Sequence, residues 1–194
     1  MKNSMLTIPT LLLVLCSSFI IQANELKLAS WNIAWLGSHE YNHRTEADYQ
    51  QLAMYAKQLD ADVIALQEVE SEYWARKVFG DDYDYYFSTK DWVQRVGVAV
   101  KKSQGFSVSA KEYKALDIGK VRHGMDITLT RNEQTIHILA VHLKSGCFVD
   151  PLDTQSLNVM PNTSVKEEKH KEACHKLARQ IKPLERWIDS HAAQ

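Results

Sequence analysis

The stretch DVIALQEV at residues 62–69 decides the fold class of this chain of 194 residues. Residues 63–66 are all apolar, a pattern typical of a strand that is covered on both faces. Upstream, Thr45 and Asp48 form an approximate capping box that begins a helix with Leu52, Ala56 and Leu59 along its apolar stripe. A buried strand that follows an amphipathic helix predicts a mixed α/β fold.

The same reasoning extends to the rest of the chain. Residues 26–35 form a further strand, and residues 73–79 form a short helix. The middle is rich in β-branched and aromatic residues, which predicts strands at 83–88, 96–101, 106–110, 125–130 and 135–142. Ser164 and Glu167 form a second capping box, which begins a last helix in which Pro183 predicts a kink or an early end.

Composition places the chain among ordinary globular proteins, with 45% hydrophobic and 24% charged residues. The 23 basic and 24 acidic residues give a net charge of −1. This balance excludes a polycationic nucleic-acid coat, so any contact with nucleic acid must be made at a local site.

The first 23 residues differ from the remainder. Lys2 is their only charge, a short apolar segment follows, and Ala23 is a small residue before Asn24. This pattern predicts a secretory signal peptide at residues 1–23 and an exported chain at 24–194, either periplasmic or secreted. The alternatives are a membrane anchor, for which the apolar segment is short and interrupted, and a lipid anchor at Cys16, which bulky Leu15 disfavours.

Cleavage would leave two of the three cysteines, Cys147 and Cys174. An even count in an exported protein favours a disulfide, and two independent buried thiols are the alternative. A bridge would clip the loop of about 18 residues at 146–163 to the helix that follows it.

Three polar side chains follow apolar runs at predicted strand ends: Asn32, Glu68 and His142. Each has an ordinary structural explanation: a turn for Asn32, a surface lysine partner for Glu68, and a hydrogen-bonded core position for His142. Because strand ends carry ligand sites in layered α/β folds, the three together favour a functional site.

The segments that hold these residues resemble successive motifs of one family. LASWNI (28–33), DVIALQEV (62–69), RVGVAV (95–100) and VHLKS (141–145) are similar, in order and spacing, to motifs of the endonuclease/exonuclease/phosphatase superfamily, whose fold is deoxyribonuclease I-like. The resemblance runs from about Leu26 to the end of the chain. It implies a four-layer α/β sandwich, here incomplete because the C-terminal strands are missing.

The resemblance also implies residue roles. Glu68 matches a position that binds a divalent cation, usually Mg²⁺, and Asn32 matches an asparagine that helps bind metal and phosphate. His142 matches a catalytic histidine that hydrogen-bonds the scissile phosphate, and Arg122 resembles a position that contacts substrate phosphate. An ordinary surface charge is the equal alternative for Arg122. The implied reaction is metal-assisted hydrolysis of a phosphodiester such as DNA or RNA.

The sequence departs from the family pattern in its second half. It contains neither the Gly-Asp-x-Asn motif nor the later Asp-His pair, which supply the water-orienting group and the general base. Gly80-Asp81-Asp82 is followed by Tyr83 and does not match. We therefore expect the N-terminal part of a family domain, truncated at the C-terminus.

Other functions remain open at this point. The same fold carries phosphatases and sphingomyelinase-type phosphodiesterases, and a non-catalytic exported domain needs no metal. His39-Glu40-Tyr41-Asn42-His43 fits the zinc-protease pattern H-E-x-x-H, which works only when both histidines share one face of a helix. The helix start at Thr45 follows this motif, which argues against the protease.

Overall fold

Two β-sheets and three α-helices make up the described part of the chain. The computed structural model describes residues 25–90, 94–148 and 165–192. The strands are β1 (Leu28–Leu36), β2 (Val63–Val69), β3 (Tyr83–Phe87), β4 (Arg95–Lys101), β5 (Ser107–Tyr113), β6 (Gly124–Arg131) and β7 (Gln134–Ala140). The α-helices are α1 (Glu46–Leu59), α2 (Glu72–Phe79) and α3 (Val165–Ala192), with short 3₁₀ helices at Glu40–Asn42, Lys102–Gln104 and Lys114–Leu116.

The first sheet has the strand order β1-β2-β4-β3 and is mixed, whereas the second has the order β5-β6-β7 and is antiparallel. Strand β2 pairs parallel to β1 and antiparallel to β4. It therefore lies inside the sheet, as its continuous apolar sequence predicts. The carboxyl ends of β1 and β2 lie beside the start of β4, and the carboxyl end of β7 lies beside the start of β6. Because His142, just after β7, lies close to Glu68 of β2, all of these strand ends are at the same end of the molecule.

A core between the two sheets joins them into one sandwich. Alternate residues of β6 point inward, namely Met125, Ile127 and Leu129, and pack with valines of β2 and β4. The other face of the first sheet packs against α1 and α2 through a second buried cluster that includes Ile64, Leu66 and Phe79. Helix α3 contacts the outer side of the second sheet, where Tyr113 Oη donates a hydrogen bond of 2.7 Å to the carbonyl of Pro183. The layers are thus helix, sheet, sheet, helix.

Several local predictions are confirmed, and others need correction. Thr45 and Asp48 form the capping box of α1, and Cys147 is disulfide-bonded to Cys174. Helix α3 continues through Pro183 to Ala192, so the predicted early end is wrong. Strand β7 ends at Ala140, two residues earlier than predicted, which places His142 in the segment after the strand. Residues 1–23 and the Ser164 cap lie outside the described residues.

No helix in the described ranges is long and apolar enough to cross a membrane.

Candidate active site

Glu68 stands at a break in the sheet. Gln67 pairs with Val96 of β4 and Val69 pairs with Arg95, so Glu68 is an extra residue that forms a β-bulge. Its backbone takes the left-handed conformation, with φ at 59°. For a residue with a Cβ atom this conformation costs about 1–3 kcal/mol, and such strain clusters at functional sites. The bulge turns the carboxylate away from the ordinary pleat of β2.

His142 lies against this carboxylate. The distance from His142 Nε2 to Glu68 Oε1 is 3.6 Å, and the two side chains are only 16% and 14% exposed. A separation of 3.6 Å is longer than a hydrogen bond. The pair therefore leaves both groups available to a third partner that binds at this position.

The charge state of His142 follows from its surroundings. The pKa of His142 is lowered to about 4, mainly by burial and also by the Arg122 guanidinium, while Glu68 acts in the opposite direction. His142 is consequently neutral at pH 7, where it offers one N–H donor and one acceptor. Its Nδ1 atom is buried and makes no hydrogen bond with the described residues.

Arg122 fixes the segment that carries His142. Its Nε and Nη2 atoms donate to the carbonyls of His142 and Leu143 at 3.0 and 2.7 Å, and Nη1 donates to Gln94 Oε1 at 3.0 Å. Burial lowers the pKa of Arg122, whereas Glu68 raises it. Three of the five N–H donors of the guanidinium thus bond described residues, and the other two have no partner among those residues.

Asn32 lies on the neighbouring strand. Its Cα pairs with that of Gln67, directly before the bulge, and its Oδ1 accepts a hydrogen bond of 2.9 Å from the Ala34 amide. In the described part of the chain, its side chain bonds this turn and not Glu68 or His142. Asn32 is inside β1 and not at its end, although regular pairing with β2 breaks after it.

A turn with unusual backbone geometry follows Asn32. Ala34 and Trp35 both have positive φ, at 49° and 63°. Arg44 donates hydrogen bonds to the carbonyls of Ile33, Ala34 and Trp35. Sequence reasoning missed this role of Arg44, because nothing in its spacing indicates that it caps a strained turn ten residues earlier.

The structure therefore brings Glu68, His142 and Arg122 together at one end of the sandwich and places Asn32 on the adjacent strand. The described residues contain no group of three or more His, Cys, Asp and Glu side chains that could hold a metal ion. A site for Mg²⁺ does not require such a group, since this ion is commonly held by one or two carboxylates, waters and substrate phosphate. The oxygens of Glu68 and Asn32 are donors of the kind that it prefers.

The zinc-protease alternative loses its structural basis. His39 and His43 flank a 3₁₀ helix of three residues, Glu40–Asn42, instead of sharing a face of an α-helix. His39 caps this short helix, and its Nδ1 accepts a hydrogen bond of 3.1 Å from the Tyr41 amide.

Two packed sheets flanked by helices, with polar groups at their common end, are the arrangement of a deoxyribonuclease I-like α/β sandwich. The sequence model of the Endonuclease/Exonuclease/phosphatase family matches residues 29–190. The chain belongs to this family.

Solved structures agree on the fold. TDP2 from Caenorhabditis elegans superposes with a TM-score of 0.50 at 22% identity, over 62% of this chain and 35% of that one. Truncated C. elegans TDP2 has the same TM-score and identity, over 62% of this chain and 47% of its own. The chain thus spans less than half of the length of these TDP2 structures. No curated protein matches the sequence.

Proposed function

We propose that this chain carries the cation-binding and phosphate-binding residues of a Mg²⁺-dependent phosphodiester hydrolase of nuclease type. The observation that carries the proposal is the contact between Glu68 and His142, two residues 74 positions apart, at 3.6 Å. Family membership supports hydrolysis of a phosphoester. The signal-peptide pattern of residues 1–23 supports a further part of the proposal, export to the periplasm or the exterior.

Each residue has a physical role in this proposal. Glu68 and Asn32 would supply oxygen ligands to the cation, which when bound would neutralise charge on the phosphate. Neutral His142 donates a hydrogen bond to a phosphate oxygen and leaves the negative charge of Glu68 unpaired for the cation. Arg122 donates hydrogen bonds to the carbonyls of His142 and Leu143 and so keeps the histidine oriented. The remaining N–H donors of Arg122 would bind the phosphate.

The test is cleavage of plasmid DNA by the purified chain in the presence of Mg²⁺. We expect Glu68→Gln and His142→Ala each to lower the cleavage rate by at least about 100-fold. Glu185→Gln is the matched control, since it removes one exposed carboxylate of α3 and should leave the rate unchanged. Equal cleavage by the wild type and by both site variants would exclude the assigned roles. If the wild type is inactive because the general-base and water-orienting motifs are absent, the Mg²⁺-dependent rise in Tm, present in the wild type and lost in Glu68→Gln, tests the cation site instead.

A further inference from the structure

A cavity lies next to the Glu68–His142 pair. It has a volume of about 440 Å³ and is bounded by the end of β3, the turn before β6, the segment after His142, and α3. Its basic lining side chains are Lys90, Arg95, Lys120, Arg122, Lys144 and Lys176. Arg122 connects this cavity with the candidate active site, because it lines the cavity and also donates a hydrogen bond to the carbonyl of His142.

The lining is strongly positive. No acidic residue is among the described residues that line the cavity. Outside it, Asp117 lies 2.7 Å from Lys90 Nζ, and Glu172 lies 2.7 Å from Lys176 Nζ. Lys120 and Lys144 have no such carboxylate among the described residues. In a chain with a net charge of −1, this concentration of cations is a local feature.

The cations are close enough to repel each other. Burial lowers the pKa of Lys144, and the charges of Arg122 and Lys176 lower it further. Repulsion between the positive charges of Lys144, Arg122 and Lys176 destabilises the protein without a ligand, and a bound anion would reduce this repulsion.

The backbone is shaped to hold Lys176 in this position. Gly119 has φ at +66°, and a Cβ atom there would lie 2.8 Å from Lys176 Cε. The absence of a side chain lets the stem of Lys176 cross the turn.

We infer that this cavity is a second phosphate subsite, which binds the phosphoryl group next to the scissile one in a polynucleotide. The inference rests on the proposed function and names its substrate class. A polynucleotide has a phosphate on each side of the scissile bond, whereas a choline phosphodiester of the sphingomyelin type presents a cation that this lining repels. A small diester with one phosphate leaves the cavity unused.

Binding is measured with the full chain in EDTA, by fluorescence anisotropy of labelled oligodeoxythymidylate and oligouridylate over a range of salt concentrations. We expect Lys176→Gln and Lys144→Gln each to weaken binding about fivefold and to reduce the slope of log K against log salt by about 0.7. Lys182→Gln, on the exposed side of the same helix, is the control and should keep the wild-type slope. A change with both probes identifies the shared phosphate chemistry, and a change with one identifies that polymer as the ligand.

Two outcomes overturn the subsite: a slope for Lys176→Gln equal to that of the wild type, or an equal loss in Lys182→Gln, which would show diffuse attraction. Cleavage separates this result from the proposed function. With Mg²⁺, Lys176→Gln should raise the KM for the oligonucleotide about fivefold relative to the KM for bis(p-nitrophenyl) phosphate. If the wild type hydrolyses neither substrate and Mg²⁺ does not raise its Tm, the proposed function fails, and the anisotropy slopes still decide the subsite.

Discussion

At the scale of single residues, Glu68 combines a strained backbone, low exposure and a neighbouring neutral histidine. A cation bound there should stabilise the folded state, because the unfolded chain has no such site. At a Mg²⁺ concentration several times the Kd, we expect a gain of about 1 kcal/mol and a rise in Tm of about 2–4 °C. Glu68→Gln should abolish this rise, and Glu185→Gln should retain it. Equal melting of the wild type with and without Mg²⁺ would favour the non-catalytic alternative.

His142 makes stability depend on pH in a defined window. Its pKa is about 4 in the folded protein and about 6.5 in an unfolded chain, so the unfolded state binds more protons between these values. Stability should therefore be fully present above pH 6.5 and fall as the pH drops towards 4, by roughly 2 kcal/mol after allowance for solvent screening. Urea unfolding at pH 7 and pH 4.5 measures the fall. His142→Gln should show a smaller fall, and an identical one would refute the assignment.

The sequence predicts some of these residue properties and not others. The apolar run before Glu68 is enough to expect a buried strand with a costly carboxylate at its end. The bulge at Glu68 is not predictable, since it depends on the register of β2 against β4. The basic cavity is also invisible in the sequence: Lys90, Lys120, Lys144 and Lys176 come from four separate segments with no common spacing.

At the scale of elements, α3 is tied to the segment that carries His142. Gln180 is fully buried; its Oε1 accepts a hydrogen bond of 2.9 Å from the Lys144 amide, and its Nε2 donates one of 2.8 Å to the Leu116 carbonyl. The Cys147–Cys174 disulfide joins the same two segments. The capping box of Ser164 and Glu167 predicts the helix, but the pairing of Gln180 with two distant backbone groups arises only from packing.

This connection leads to a prediction for Gln180→Leu. The substitution keeps the volume roughly constant, leaves the Lys144 amide without its Gln180 partner, and removes one of two hydrogen bonds at the Leu116 carbonyl, which still accepts from the Ile118 amide at 2.8 Å. We therefore expect a loss of about 1–3 kcal/mol. Cleavage should fall as well, because the Lys144 amide lies two residues from His142. Gln94→Leu is not a suitable control, because Gln94 accepts a hydrogen bond from Arg122. The control is Gln58→Leu, at an exposed position of α1. Denaturant midpoints that match for all three proteins would show that Gln180 has no such role.

At the scale of the whole molecule, the two sheets depend on one another. In the part of the chain that the structure describes, the second sheet has three strands, and its buried face packs against β2 and β4 of the first sheet. The family resemblance predicts this sandwich, whereas the face of β6 that is buried is known only from the packing of Met125, Ile127 and Leu129 against the first sheet. The site forms where the sheets meet, since Glu68 comes from the first and His142 follows the last strand of the second.

Ile127 tests whether the sandwich unfolds as one unit. It is fully buried in the core between the sheets, so Ile127→Ala should cost about 2–5 kcal/mol through lost burial and a residual cavity. Thr130→Ala, on the outer face of the same strand, should cost less than about 1 kcal/mol. Because the core is shared, far-UV circular dichroism and tryptophan fluorescence should report the same lowered urea midpoint in Ile127→Ala. Two separate transitions would show instead that the first sheet, with α1 and α2, keeps its structure when the second is lost, and Glu68 would then persist without His142 beside it.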